Sequence, residues 1–154
     1  MHLAPKSPAS RPATLDAALA TVRAHGLRAS SARRLLLAAL VAAERPITAE
    51  AIARGLDGRV PPSDVGSVYR NLDALERIGV VRRLFPGHGA ALYTLSGGDE
   101  GGYVACERCG DVRTADPRAL ASVRAAVRAA LGYEASFTHV PLVGTCGKCV
   151  SRPG

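Results

Sequence analysis

A chain of 154 residues is long enough for one full domain or two small ones. With aromatics at 4 % its cores must rest on Leu, Val, Ile and Ala. The net charge of +7 is placed unevenly: residues 1–96 carry 13 Lys+Arg against 7 Asp+Glu, residues 97–154 carry 7 against 6. That excludes an acidic or evenly charged first half and points it toward a polyanion.

Residues 1–13, with Pro5, Pro8, Pro12, Lys6 and Arg11, lack the apolar stretch of a signal peptide and read as a disordered basic tail. Thr14 caps a helix running to about His25, stopped by Gly26. Ser30 or Ser31 caps a second helix through Ala43, broken by Pro46. Its apolar run Leu35 to Ala43, between Arg34 and Glu44, is too short to span a bilayer, so no membrane partner is expected and the cytoplasm is the default location. Thr48 caps a short third helix, Ala49 to Arg54, ended by Gly55. After Pro61-Pro62, Ser63 caps a fourth helix to about Ile78, with Val65, Val68, Leu72, Leu75 and Ile78 at helical spacing and Gly79 as its stop.

Two β-patterned runs follow, Val80 to Phe85 and Ala91 to Leu95, joined by the turn Pro86-Gly87-His88-Gly89. Short helices and then a hairpin make the order of a winged helix-turn-helix, expected over residues 14–96. A glycine-rich hinge, residues 97–102, leads to a small α/β unit over 103–150. That unit reads as strand (Tyr103 to Cys106), knuckle, strand (Asp111 to Thr114), helix (about Pro117 to Leu131) and strand (Glu134 to Val140). The expected class is therefore α+β.

Every cysteine of the chain lies in two CxxC pairs, Cys106/Cys109 and Cys146/Cys149. Four thiolates make a closed tetrahedral zinc site, one Zn²⁺ per chain, with no position left open for chemistry. The alternatives are two redox pairs or four unrelated buried thiols. With zinc bound (−4 from the thiolates, +2 from the ion), the second half falls from +1 to −1. No Ser-His-Asp order, phosphate-cradling glycine loop or paired-carboxylate site stands out, so an enzyme is not expected.

The fourth helix opposes its apolar stripe with Ser63, Gly66, Ser67, Arg70 and Asn71, with Tyr69 at the margin. Small residues admit a DNA backbone, Arg and Asn pair with guanine and adenine edges, and an aromatic meets a thymine methyl. A recognition helix reads bases with its N-terminal half, where these residues stand. The competing reading is an ordinary solvated face; the preceding helices, the hairpin and the basic surplus favour DNA. Arg82 and Arg83 on the wing are expected at phosphates. Arg28, Arg33 and Arg34 are either backbone or minor-groove contacts or simply solvated.

These residues resemble the ferric-uptake-regulator (Fur) family of metal-responsive repressors. The resemblance is carried by Gly26-Leu27-Arg28 with Arg33, Ser67-Val68-Tyr69-Arg70-Asn71-Leu72, Gly79-Val80-Val81-Arg82-Arg83, Cys106-x-x-Cys109-Gly110, His139 and Gly144-x-Cys146-x-x-Cys149, across roughly residues 14–150. It implies a homodimer paired through the second half, with each first half inserting a helix into the major groove of a palindromic operator. It implies further that Tyr69 and Arg70 face bases and that Arg28 reaches toward the minor groove.

The chain departs from the family at the sensor. Metal-sensing members carry a His-rich run before the first CxxC, where this chain has Asp99-Glu100-Gly101-Gly102-Tyr103. Pro46 stands near a usual histidine, Thr94 where the wing's last strand gives an acid, and Ala121 where the long helix gives a glutamate. His139 alone remains at a ligand-like position, too few for a regulatory metal. The candidates for a relocated second site are His88, Asp99, Glu100 and His139, each of which also reads as a solvated or structural residue. Three readings follow: a zinc-stapled repressor whose sensor has decayed, a metal-dependent repressor using the relocated set, and a thiol redox switch through the CxxC pairs.

Overall fold

The computed structural model describes residues 14–87, 89–97, 102–137 and 140–152. The expected tail, residues 1–13, and most of the expected hinge, residues 98–101, lie outside the described residues. Five helices come first: α1 (Leu15–Ala24), α2 (Ser31–Ala42), α3 (Ala49–Ala53), α4 (Gly55–Gly58) and α5 (Val65–Arg77). Thr14 and Thr48 cap α1 and α3 as expected, their hydroxyls accepting from Ala17 N at 3.2 Å and Ala51 N at 3.1 Å. Of the two serines before α2, Ser30 is the cap.

Two local features depart from the expected order. Gly55–Gly58 is a single left-handed turn with φ positive at Gly55, Leu56, Asp57 and Gly58. Such a turn costs about 1–2 kcal/mol at each non-glycine residue. It is held by Val60 N–H donating to Gly55 O at 2.9 Å, and a Cβ on Gly55 would meet Val60 O at 1.8 Å. The cap of α5 is Asp64 and not Ser63: Asp64 Oδ2 accepts from Ser67 N at 2.8 Å, while Ser63 N–H is drawn back to Ala53 O.

The hairpin is β1 (Val81–Leu84) against β2 (Leu92–Leu95), antiparallel, with Val81 opposite Leu95 and Leu84 opposite Leu92. Ile47 adds a bridge to Tyr93 on the other edge of β2. Opposed residues share a face and successive ones alternate. Val81, Tyr93 and Leu95 therefore join the helix core with Leu19, Leu36, Leu37, Leu40, Ile52, Leu72 and Leu75. Leu84, with Leu92 packed beside it, turns the other way and joins Tyr103, Ala105 and Val112. This second cluster is a seam between the wing and the cysteine half.

That half contains β3 (Tyr103–Cys106), β4 (Val112–Thr114), α6 (Pro117–Leu131), β5 (Leu142–Gly144) and α7 (Gly147–Val150). Strand order is β4-β3-β5, with β4 antiparallel and β5 parallel to β3. The strand expected over Glu134 to Val140 is corrected: residues 134–137 form none, and pairing begins at Leu142. Parallel register aligns Cys106 with Gly144, which brings the second CxxC to the same end of the sheet as the first. No described helix is long and apolar enough to cross a membrane.

Candidate metal centre and nucleic-acid interface

The four cysteines converge, their sulfurs all within 4.8 Å of one another. Cys109 Sγ and Cys146 Sγ lie 3.9 Å apart. A tetrahedral ion with metal–sulfur bonds of about 2.3 Å sets its sulfurs about 3.8 Å apart, so the cradle fits. The first knuckle is closed by Gly110 N–H donating to Cys106 O at 2.9 Å, with Gly110 at φ 72°. Arg108 ties the knuckles together, Nη1 donating to Cys149 O at 2.7 Å. Backbone N–H groups, Cys146 first, stabilise a thiolate at Cys106 and pull it down to about 6. A hydrogen bond with Cys146 and the crowd of neighbouring sulfurs push Cys149 up to about 12. A cation is what would let all four ionise together. Four sulfur donors complete a tetrahedron, so the centre is suited to holding structure.

Among the described residues the cysteines are the one group of three or more His, Cys, Asp or Glu placed to hold an ion. His88, Asp99, Glu100 and His139, the proposed relocated set, lie outside the described residues. Thr94 is 2 % exposed, and its Oγ1 has no hydrogen-bond partner among them. It stands opposite Arg82, on the hairpin face that carries Leu84 and Leu92. Pro46 is buried and Ala121 is exposed on α6.

The other candidate face is α5. Its hydrophobic stripe is buried through Val68, Leu72 and Leu75. On the opposite side Tyr69 is 40 % exposed and Arg70 is exposed, with Ser67 and Asn71 half-buried. Asn71 Nδ2 bonds back to Ser67 O at 2.9 Å and to Ser67 Oγ at 3.3 Å. Tyr69 donates to Glu50 Oε1 at 2.7 Å. Arg28 is exposed, and its carbonyl accepts from Arg33 Nη1 at 2.8 Å.

Arg83 is a correction. Its guanidinium bonds Asp73 at 2.6 Å and Glu76 at 2.9 Å and lies 5.4 Å from the centre of the Tyr93 ring. Both carboxylates are on α5, so Arg83 braces wing to helix, its side chain 26 % exposed. Arg82 points to the other face of the hairpin and has no ion pair among the described residues. Sequence reading missed Glu50, Asp73 and Glu76. Asp73 and Glu76 share a helix face at i,i+3 spacing, a signal that could have marked a basic partner; nothing local marked Glu50. It also missed Arg45–Asp111, an ion pair at 3.3 Å joining the α2–α3 loop to the first knuckle.

Residues 24–141 match the model of the ferric uptake regulator family. The chain is 27 % identical over 138 residues to the peroxide operon regulator of Bacillus subtilis, covering 90 % of this chain and 94 % of that protein. Its fold matches the Helicobacter pylori ferric uptake regulator, described as having three functional metal binding sites, with a TM-score of 0.69 and 20 % identity over 94 % of this chain and 99 % of that one. A zinc uptake regulator complexed with zinc and DNA matches with a TM-score of 0.55 and 21 % identity, over 89 % of this chain and 93 % of that one. The chain belongs to the ferric uptake regulator family, whose members are DNA-binding, metal-responsive transcription regulators and not enzymes.

Proposed function

We propose that this chain is a dimeric repressor that holds one structural Zn²⁺ at Cys106, Cys109, Cys146 and Cys149 and binds a palindromic operator without needing a second metal. In this reading residues 14–96 bind DNA, 97–102 are the hinge and 103–150 form the dimer. The observation that carries it is the seam. Thr94, where the resemblance calls for an acid, is 2 % exposed, on the hairpin face that carries Leu84 and Leu92 and with the cation Arg82 opposite it. An apolar seam suits packing of the halves and is poor ground for a hard or borderline cation. The zinc uptake regulator bound to zinc and DNA supports the choice of partners.

Dimerisation is supported by α6, fifteen residues long with Leu120 its one buried side chain. Leu131 at its end and Tyr133, Val140 and Val143 beyond it are exposed, apolar groups that a second copy would cover. Within the dimer, Ser67, Tyr69, Arg70 and Asn71 enter the major groove, while Arg28 and Arg82 meet the backbone or minor groove.

The test is metal per chain by native mass spectrometry after incubation with excess zinc, iron or nickel, paired with DNA binding in each state. One retained zinc and unchanged DNA affinity are expected. A second retained metal that DNA binding requires would overturn the reading and favour the set Glu100, His139, His88 and Asp99.

A second reading draws on the exposure of Cys109 and on the peroxide operon regulator among the relatives. Peroxide would oxidise two thiolates to a disulfide, itself reduced to two waters after taking up two protons, and the metal and DNA would be released. Retention of zinc and DNA under mild peroxide would rule it out.

A further inference from the structure

Charged side chains from three segments of the helical half line one cavity of about 500 Å³. Glu44 and Arg45 come from the α2–α3 loop, Arg54 from the end of α3, and Asp57 and Arg59 from the left-handed turn and its end. Ile47, Ala51 and Leu56 supply an apolar wall. Both signs of charge ring this space, yet Glu44, Arg54, Asp57 and Arg59 enter no ion pair among the described residues. Glu50, one turn before Arg54, is already engaged by the Tyr69 hydroxyl. The backbone of the wall is fixed. Leu56 and Asp57 hold φ of 53° and 55°, Leu56 packs on the helical core, and Gly55 has no room for a Cβ against Val60 O. Left-handed non-glycine residues are unfavourable in themselves and persist where the surrounding structure imposes them.

We propose that this cavity binds a small acidic zwitterion, a ligand with two carboxylates and one ammonium. Guanidiniums take carboxylates bidentately, and Glu44 and Asp57 offer acceptors to the ammonium. Three positive and two negative side chains leave a surplus of one positive charge, which such a ligand cancels. Cavities of about 300–1,000 Å³ take small molecules. A plain dianion has nothing to give Glu44 and Asp57, and a phosphate backbone meets them as repulsion.

Arg45 connects the site to the rest of the chain. It lines the cavity and also donates to Asp111 at 3.3 Å, just after the first knuckle. Its side chain is 69 % exposed, and exposed ion pairs are weak. Asp111 keeps a second partner in Arg113, so Arg45 can leave without stranding a carboxylate. A ligand carboxylate therefore draws Arg45 off Asp111 and undoes this tie between the halves. The consequence for DNA rests on the reading of the chain as a repressor; binding of the ligand does not.

The experiment is titration calorimetry of the full zinc-loaded chain with L-glutamate, succinate and inorganic phosphate in turn. Glutamate should bind about tenfold more tightly than succinate, which lacks the ammonium, or phosphate. R54A, R59A and D57N should each weaken glutamate by about tenfold. All three residues are exposed, and Asn accepts a left-handed backbone, so the variants keep the fold. No heat with glutamate at millimolar concentration, or unchanged affinity in all three variants, overturns the proposal. So does phosphate or succinate bound as tightly as glutamate, the mark of a site for any anion. Saturating glutamate should also change affinity for a duplex enriched by the wild type from a random pool, and should not do so in D111N, whose cavity is intact. Binding without that change overturns the role of Arg45 and supports the site alone. If no duplex is enriched, the repressor reading fails while calorimetry still decides the site. R54A and R59A that weaken every duplex alike, with no glutamate heat, would assign the cavity to DNA phosphates instead.

Discussion

The two halves are held together by different physics. The helical half buries a continuous aliphatic core in which Leu19, Leu36, Leu37, Leu40, Ile52, Leu72 and Leu75 are at most 1 % exposed. The cysteine half buries little of its own: Tyr103, Ala105, Cys106, Val112 and Leu120, with Leu84 and Leu92 borrowed from the wing. A small sheet of three- and four-residue strands cannot offset its conformational entropy with so few apolar contacts. The difference teaches where a metal would be needed. The first half folds on the hydrophobic effect, whereas the second, in the proposed reading, draws on a metal at its four sulfurs, on the seam and on a second copy.

The sharpest way to break that contrast is to take the metal away. Replacing Cys106 with Ser, or chelating the zinc, should unfold the second half and abolish dimerisation while the α1–α5 helical signal persists. Structural zinc contributes on the order of 10–16 kcal/mol of apparent folding energy in small metal domains. Circular dichroism with sedimentation checks this, and a dimer that survives would remove the metal from its role.

Next is the seam. Leu84→Ala should cost about 2–5 kcal/mol and separate one unfolding transition into two in calorimetry. A single unshifted transition would mean that the halves are not coupled through Leu84.

On the DNA side, Arg70→Ala should weaken operator binding by about 1–3 kcal/mol and relax one base position. Equal loss on all sequences would move Arg70 to the phosphates.

Thr94 supplies a finer test. Val matches Thr in shape and removes a buried hydroxyl with no partner among the described residues, so Thr94→Val should raise stability by about 1 kcal/mol. A fall in melting temperature would reveal a bond to Oγ1.

The smallest effect separates the wing arginines. Arg82→Ala should reduce the salt dependence of DNA binding by about one counterion. Arg83→Ala should leave that slope unchanged and instead loosen the wing from α5, since its charge is already spent on Asp73 and Glu76. Identical slopes for both variants would undo the distinction drawn between the two faces of β1.

Much of this architecture could be read from local chemistry. The caps at Thr14 and Thr48, Pro117 in the first turn of α6, the stripe of α5 and the two CxxC pairs are each written within a few residues. Where reading failed, a distant group had intervened. Ser63 and Asp64 are equally good caps by type, and Ala53 O decided between them by taking the Ser63 N–H. Residues 134–140 alternate like a strand, yet β5 begins at Leu142 because it is β3, 38 residues upstream in the chain, that offers the free edge. Arg82 and Arg83 look alike in sequence, and only the pleat sends Arg83 to the face that meets α5 and Arg82 to the opposite one.

The sequence by itself determined the helix-turn-helix order, the basic first half and the four-thiolate donor set, because periodicity, capping, charge and ligand type are local properties. Tertiary structure alone decided which polar groups are available. Arg83 is paired with two carboxylates, Tyr69 donates its hydroxyl to Glu50, and Thr94 is buried opposite Arg82. The reason is that hydrogen bonding and burial depend on what packing brings within about 3 Å, across any distance along the chain.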